Sequence, residues 1–174
     1  KLNIEKNIIT SVSGFSSVLS DDKLMDVLIM AYAGLKNKRI VELCQMNGLN
    51  AIGLTGIDGG LIKGKKNKGI RVRENGKLKI IRDNSGKAFE INVDLLQYLL
   101  EHNYLPVLTV PILAEDGKAL NSENDDITAL LSNTLSADKV IQFIEAPGLL
   151  RDFNDGNSLI NNLSKSELEL MVEN

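Results

Sequence analysis

The chain has 174 residues, 43% hydrophobic and 25% charged, with a net charge of −3, enough apolar material for one buried core and an expected single domain over 1–174. No apolar run approaches the ~20 residues that cross a bilayer, and "KLNIEKNIIT" lacks the apolar segment of a signal peptide, so the chain reads as cytoplasmic with no membrane partner. One Cys and one His leave no nitrogen and sulfur cluster to hold zinc, no Cys–His or Ser–His–Asp grouping is signalled, and no residue is assigned to a metal.

In chain order, Ser20 followed by "DDKLMDVLIMAYAGLKNKRIVELCQMNG" predicts an N-capped helix over 21–47, with acids in its first turn and Gly48 past its end. Between Leu24 and Leu35 it is apolar on nearly every side, and a homodimer across it is one way to cover that surface. Cys44, in "IVELCQM", reads as a small core residue. "NAIGLTG" is a short strand leading into glycines. "GGLIKGKK" (59–66) nearly matches a phosphate-binding loop, but Lys66 stands where Ser or Thr is needed and a helix does not follow.

From Lys63 to Arg82 the sequence holds nine Lys and Arg against one acid, Glu74. That stretch carries +8, so the remainder of a −3 chain carries −11, and an anionic partner is implied. A three-residue loop at Glu74, Asn75 and Gly76 would pair Arg73 with Lys77, Val72 with Leu78, Arg71 with Lys79 and Ile70 with Ile80. One face would then be wholly basic and the other wholly apolar; a two-residue turn would mix them. The segment has no aromatic residue to stack on bases and the rest of the chain is acidic, which disfavours nucleic acid.

"NVDLLQYLLEHN" predicts a helix, with His102 suited to its carbonyl end; "LPVLTVP" a strand; "NDDITALLSNTL" a helix; "DKVIQFI" a strand. "LSKSELELMVEN" opens a last helix with a capping box, Ser164 and Glu167. Strands alternating with helices argue for an α/β fold with a mainly parallel sheet covered on both faces, into which 63–82 is inserted as a basic hairpin. Asn121 and Asp125, on the loop and first turn that follow a strand, stand where such sheets place ligands.

Three stretches together, "MAYAGLKNKRIVELCQMNGLNAIGLTGIDGGLIKGKK", "IIRDNSGKAFEINVDLLQYLLEHNYLPVLTVPILAEDGKALN" and "IEAPGLLRD", resemble the amino acid kinase family. Within it they are similar to the acetylglutamate kinase branch, and especially to kinases that act on aminoadipate or glutamate attached to an amino-group carrier protein. The resemblance implies a three-layer sandwich, ATP with Mg²⁺, and transfer of a phosphoryl group to a side-chain carboxylate. It implies an acidic carrier as the partner of Lys65, Lys66, Arg71, Arg73, Lys77 and Lys79.

In the same way it assigns Asn121 to the acceptor, Asp125 to organising catalytic lysines, and Glu145, Gly148, Leu149 and Leu150 to the nucleotide. Gly14 and Ser16 fall in the acceptor segment, Ser16 where relatives usually hold a carboxylate-gripping Arg. The family's opening lysine and glycine-rich loops and its closing lysine loop have no counterpart, which implies the central part of a longer kinase, inactive alone. The rival readings are an N-acetylglutamate kinase using a free small substrate, and a non-catalytic scaffold.

Overall fold

A computed structural model describes residues 7–172 apart from 13, 15, 75 and 153. The first described residues form an antiparallel pair, β1 (Ile8–Thr10) with β2 (Ser16–Val18). The helical run then begins at α1 (Asp22–Leu28), continues through a π-helical stretch (Ile29–Lys36) and ends as α2 (Asn37–Met46). Its N-cap is Asp21, whose carboxylate accepts from the Leu24 amide at 2.8 Å, rather than Ser20. The correction has a simple cause: Ser20 is buried, and its amide and hydroxyl are engaged elsewhere. The π-helical stretch leaves Met30, Tyr32 and Leu35 exposed within the chain.

β3 (Ala51–Thr55) leads through a 3-10 turn (Asp58–Gly60) into β4 (Ile62–Lys66). β5 (Ile70–Glu74) and β6 (Lys77–Ile81) form a hairpin, and β7 (Gly86–Ile91) follows it. The hairpin proper is therefore narrower than 63–82, because Lys63, Lys65 and Lys66 belong to β4. α3 (Val93–Glu101) is capped by Asn92, which accepts from the Leu95 amide at 3.1 Å. It ends at His102, whose Nδ1 lies 2.7 Å from the Tyr98 carbonyl oxygen and whose ring stacks on Tyr98, as its position at the carbonyl end suggests.

β8 (Leu105–Thr109) pairs in parallel with β3, Gly53 opposite Val107, so the α3 segment serves as the crossover that parallel strands need. β9 (Ile112–Ala114) and β10 (Ala119–Leu120) complete a four-stranded sheet ordered β10-β9-β4-β7. In it β4 and β9 are parallel and the other pairs antiparallel. The core gathers on this sheet: Leu61, Ile62, Ile112 and Leu120 are almost wholly buried, joined by Leu96 of α3 and Ile127 of α4 (Asn124–Thr134). The arrangement is α/β, with helices packed on parallel strands.

The chain divides into two compact units, Lys1–Ala137 and Asp138–Asn174. In the second, α5 (Lys165–Val172) carries the expected capping box: Glu167 accepts from the Ser164 amide and hydroxyl at 2.8 and 2.6 Å, and Ser164 Oγ accepts from the Glu167 amide at 3.3 Å. The strand expected from "DKVIQFI" is absent: 139–144 enters no ladder among the described residues. β-propensity yields a strand only where a neighbouring edge accepts its hydrogen bonds, and Phe143 is 97% exposed. Among the described residues no helix is long and apolar enough to cross a membrane.

Candidate functional site

A cleft of ≈ 430 Å³ opens in the first unit where separate segments converge. Its walls come from the β1–β2 pair, the residues leading into α1, both feet of the β5–β6 hairpin, β7, and the junction of β10 with α4. Asn121 stands on that junction, fixed by its backbone: its amide donates to the Asn84 carbonyl at 2.7 Å and its own carbonyl accepts from Gly86 at 2.9 Å. Its side-chain Nδ2 donates to Ser20 Oγ at 3.1 Å. Next to it Ser122 lines the cleft with a buried hydroxyl that has no partner among the described residues, a group ready for a ligand.

The floor is organised by Asp83, 7% exposed, which sequence reading did not single out. Its Oδ2 accepts from the Ser20 amide at 3.0 Å; its Oδ1 accepts from the Ser85 amide and hydroxyl at 3.2 and 2.6 Å. Asn67, at the other foot of the hairpin, donates through Nδ2 to Ser85 Oγ at 3.0 Å. A buried carboxylate needs such donors to offset lost hydration. "RDNSG" held a signal only in hindsight: Asp, Asn and Ser together are chiefly a turn signature.

Asp125 lies exposed in the first turn of α4 and is not among the residues that line the cleft, whereas its neighbour Asp126 lines it, 3.8 Å from Lys87 Nζ. Lys87, also missed from sequence, brings a cation to the cleft. Gly14 and Ser16 sit at the turn end of the β1–β2 pair, with Ser16 Oγ 2.8 Å from Thr10 Oγ1, while Ser11 and Val18 of that pair line the cleft.

The hairpin's register differs from expectation. Glu74 pairs with Lys77, Arg73 with Leu78, Val72 with Lys79, Arg71 with Ile80 and Ile70 with Ile81. This is the shorter turn, with Gly76 at φ 77°, a conformation glycine adopts without steric cost; Asn75 lies outside the described residues. The faces are mixed. Arg71, Arg73, Leu78 and Ile80 share one side, with Leu78 67% and Ile80 60% exposed; the other side seats Val72 in a buried position and carries Lys77 and Lys79. Lys79 donates to Glu74 at 2.6 Å and holds its carboxyl below the ordinary range. The pattern argument failed because it weighed face purity alone, whereas the short turn aligns Lys79 with Glu74 and gives Val72 a core to enter. Lys65 and Lys66 lie on β4, Lys66 Nζ donating to Asn84 Oδ1 at 3.0 Å.

The residues assigned to the nucleotide belong to the second unit. Glu145 and Leu149 are exposed, Leu150 bridges to Leu159, and Gly148 has φ 135° with Leu159 Cδ1 2.8 Å from where a Cβ would stand. That is a bare-backbone loop in a conformation closed to other residues, with a carboxylate at its start.

The amino acid kinase family model matches residues 1–174. The chain belongs to the amino acid kinase family. It is 41% identical over 162 residues to a LysW-aminoadipate kinase of Thermus thermophilus, covering 92% of this chain and 60% of that protein. With a LysW-aminoadipate kinase of Deinococcus radiodurans it shares 39% over 166 residues, 95% of this chain and 57% of the relative. An acetylglutamate kinase of Methanopyrus kandleri is 31% identical over 155 residues, 89% and 61%. The chain thus spans about three-fifths of the length of these curated relatives. The crystal structure of smu.665 from Streptococcus mutans UA159 superposes with a TM-score of 0.72 at 15% identity, over 98% of this chain and 62% of that one, which supports the fold.

Proposed function

We propose that the complete protein is an ATP-dependent kinase that phosphorylates the side-chain carboxylate of aminoadipate or glutamate held on an acidic amino-group carrier protein, in cytoplasmic amino-acid biosynthesis. The observation that carries this reading is that both feet of the basic hairpin are walls of the cleft that holds Asn121. A substrate delivered on an acidic protein needs a cationic landing surface beside the acceptor pocket; a free small acid does not.

Asn121 and the unpartnered Ser122 hydroxyl bind the acceptor, and Lys87 supplies positive charge for its carboxylates. Arg71 and Arg73 lead the docking surface, with Lys65, Lys66, Lys77 and Lys79 adding to the field. Glu145 and the backbone of Gly148, Leu149 and Leu150 would hold the nucleotide, and ATP, when bound, supplies the phosphoryl group. Among the described residues no cluster of three acidic, His or Cys side chains could cage a metal, so Mg²⁺ would arrive with the phosphates. Asp125 orients cations around the transferring group, where catalysis rests on positioning and electrostatics. A homodimer forms through the 21–47 helix.

Steady-state assay of the complete protein with carrier-linked aminoadipate, carrier-linked glutamate and free N-acetylglutamate tests this. Preference for a carrier-linked acceptor by orders of magnitude in kcat/KM is expected. Efficient turnover of free N-acetylglutamate would establish the second reading, which the Methanopyrus relative favours. No turnover of any acceptor would leave the scaffold reading.

A further inference from the structure

We infer that Asp83 is a positioning residue for the acceptor site, orienting Asn121 through Ser20 and binding that orientation to the seating of the basic hairpin. The inference rests on the assignment of Asn121 to the acceptor. The geometry is a relay of three contacts. Asp83 Oδ2 holds the Ser20 amide at 3.0 Å, Ser20 Oγ accepts from Asn121 Nδ2 at 3.1 Å, and Asp83 Oδ1 takes the amide and hydroxyl of Ser85, which in turn accepts from Asn67.

The relay crosses most of the sequence. Ser20 and Asn121 are 101 positions apart and Ser20 and Asp83 are 63 apart, so no local structure holds Asn121 against Ser20; the Asn84 backbone brings the two main chains together, and the Asp83 carboxylate fixes Ser20 from its amide side. Ser20 has no freedom to compensate, being 2% exposed with its carbonyl engaged by the Asn84 amide at 2.8 Å. With its side-chain amide tied to Ser20 Oγ, Asn121 is held at one position at the cleft, and the polar atoms that this contact leaves open face whatever enters.

Asp83 and Asn67 also stand two and three residues outside the ends of the hairpin, Ile81 and Ile70. One carboxylate therefore clamps the hairpin's feet and the acceptor-binding amide together. A carrier that settles on the hairpin and an amino acid that settles on Asn121 engage the same rigid unit, so their binding is expected to be coupled.

A double-mutant cycle in the complete protein tests this, with carrier-linked aminoadipate and ATP varied separately. Asp83→Asn is nearly isosteric and keeps an oxygen for Ser85, but turns an NH₂ toward the Ser20 amide, so it breaks the arm that leads to Asn121. We expect a rise in the acceptor KM of roughly tenfold, the scale of one lost hydrogen bond to a charged group, with the ATP KM within twofold. In an Asn121→Ala background, Asp83→Asn should add no further rise, since it acts through the group already removed.

If Asn121→Ala alone leaves the acceptor KM unchanged, the acceptor assignment falls and this inference with it. If Asn121→Ala raises the acceptor KM but Asp83→Asn does not, or the two effects multiply, only the positioning role is overturned. An equal rise in both KM values would likewise overturn it, as the mark of a general structural defect. Should Asp83→Asn fail to fold by circular dichroism, Ser20→Ala removes the relay hydroxyl while keeping the backbone contact, and the same acceptor-only rise is required of it.

Discussion

At the scale of single residues, the two acids of "NDD" stand in different surroundings. Asp126 faces the cleft and Lys87, whereas Asp125 sits in the same helical turn about 100° around the axis. If Asp125 arranges cations around the transferring phosphoryl group, Asp125→Asn should lower kcat by two orders of magnitude or more while changing the ATP KM little, because an interaction made only in the transition state is absent from substrate binding. Unchanged kcat would move the role to Asp126. Lys87 makes a complementary case. Its pair with Asp126 is long and exposed, so Lys87→Met should leave the unfolding free energy within about 0.5 kcal/mol by denaturant titration. It should raise the acceptor KM several-fold, since a carboxylate in the cleft loses its cation. A fall in stability with no change in KM would contradict that assignment.

At the scale of elements, the hairpin's mixed face changes what docking should look like. Arg71 and Arg73 act at a distance, through a field screened over ~10 Å at 0.1 M salt; Leu78 and Ile80 act only on contact. Reversing both arginines to Glu should slow carrier association on the order of tenfold at low salt and flatten its salt dependence, whereas Leu78→Ser with Ile80→Ser should leave association intact and speed dissociation. Stopped-flow association rates that are equal for wild type and the arginine reversal would leave a merely solvated hairpin. The capping box of α5 gives a pH test. The Ser164 hydroxyl and amide hold the Glu167 carboxyl below its ordinary range. Its contribution is therefore present above the ordinary Glu pKa and lost as pH falls through the depressed value, and amide exchange in 165–172 should speed up over that window. Ser164→Ala removes the hydroxyl contact and keeps the amide, so it should weaken the pH dependence, and Glu167→Gln should abolish it. What was legible in the sequence follows the same division. The helices at 93–101 and 124–134, the parallel strands at 51–55 and 105–109, and the capping box are written in local pattern, and each stands where that pattern puts it. The hairpin register, the fate of 139–144 and the Asp83 relay are settled by which distant segment arrives as a neighbour, as Ser20 and Asn121 show, and period and propensity carry no record of that.

At the scale of the whole molecule, the helical run from Asp22 to Met46 carries apolar surface that these 174 residues leave uncovered. Tyr32, Leu35, Ile40 and Leu43 are all between 44% and 58% exposed, and Met30 is 51% exposed, so an apolar strip runs along the π-helical stretch and α2. Contiguous apolar surface of this kind marks an interface, and a second copy of the same helix is complementary to it by symmetry. The complete protein should therefore sediment as a dimer at micromolar concentration. Leu35→Glu with Leu43→Glu should convert it to a monomer, because two buried unpaired charges per subunit would cost several kcal/mol at a contact of ordinary size. The cleft offers an internal control, since Ser20, Asp83, Asn121 and Lys87 all lie outside the strip and make their contacts within one chain. A monomeric variant should accordingly keep its acceptor KM within a few-fold while losing thermal stability and gaining concentration-dependent aggregation. A wild-type protein that sediments as a monomer at micromolar concentration would show that the strip is covered by something other than its own copy.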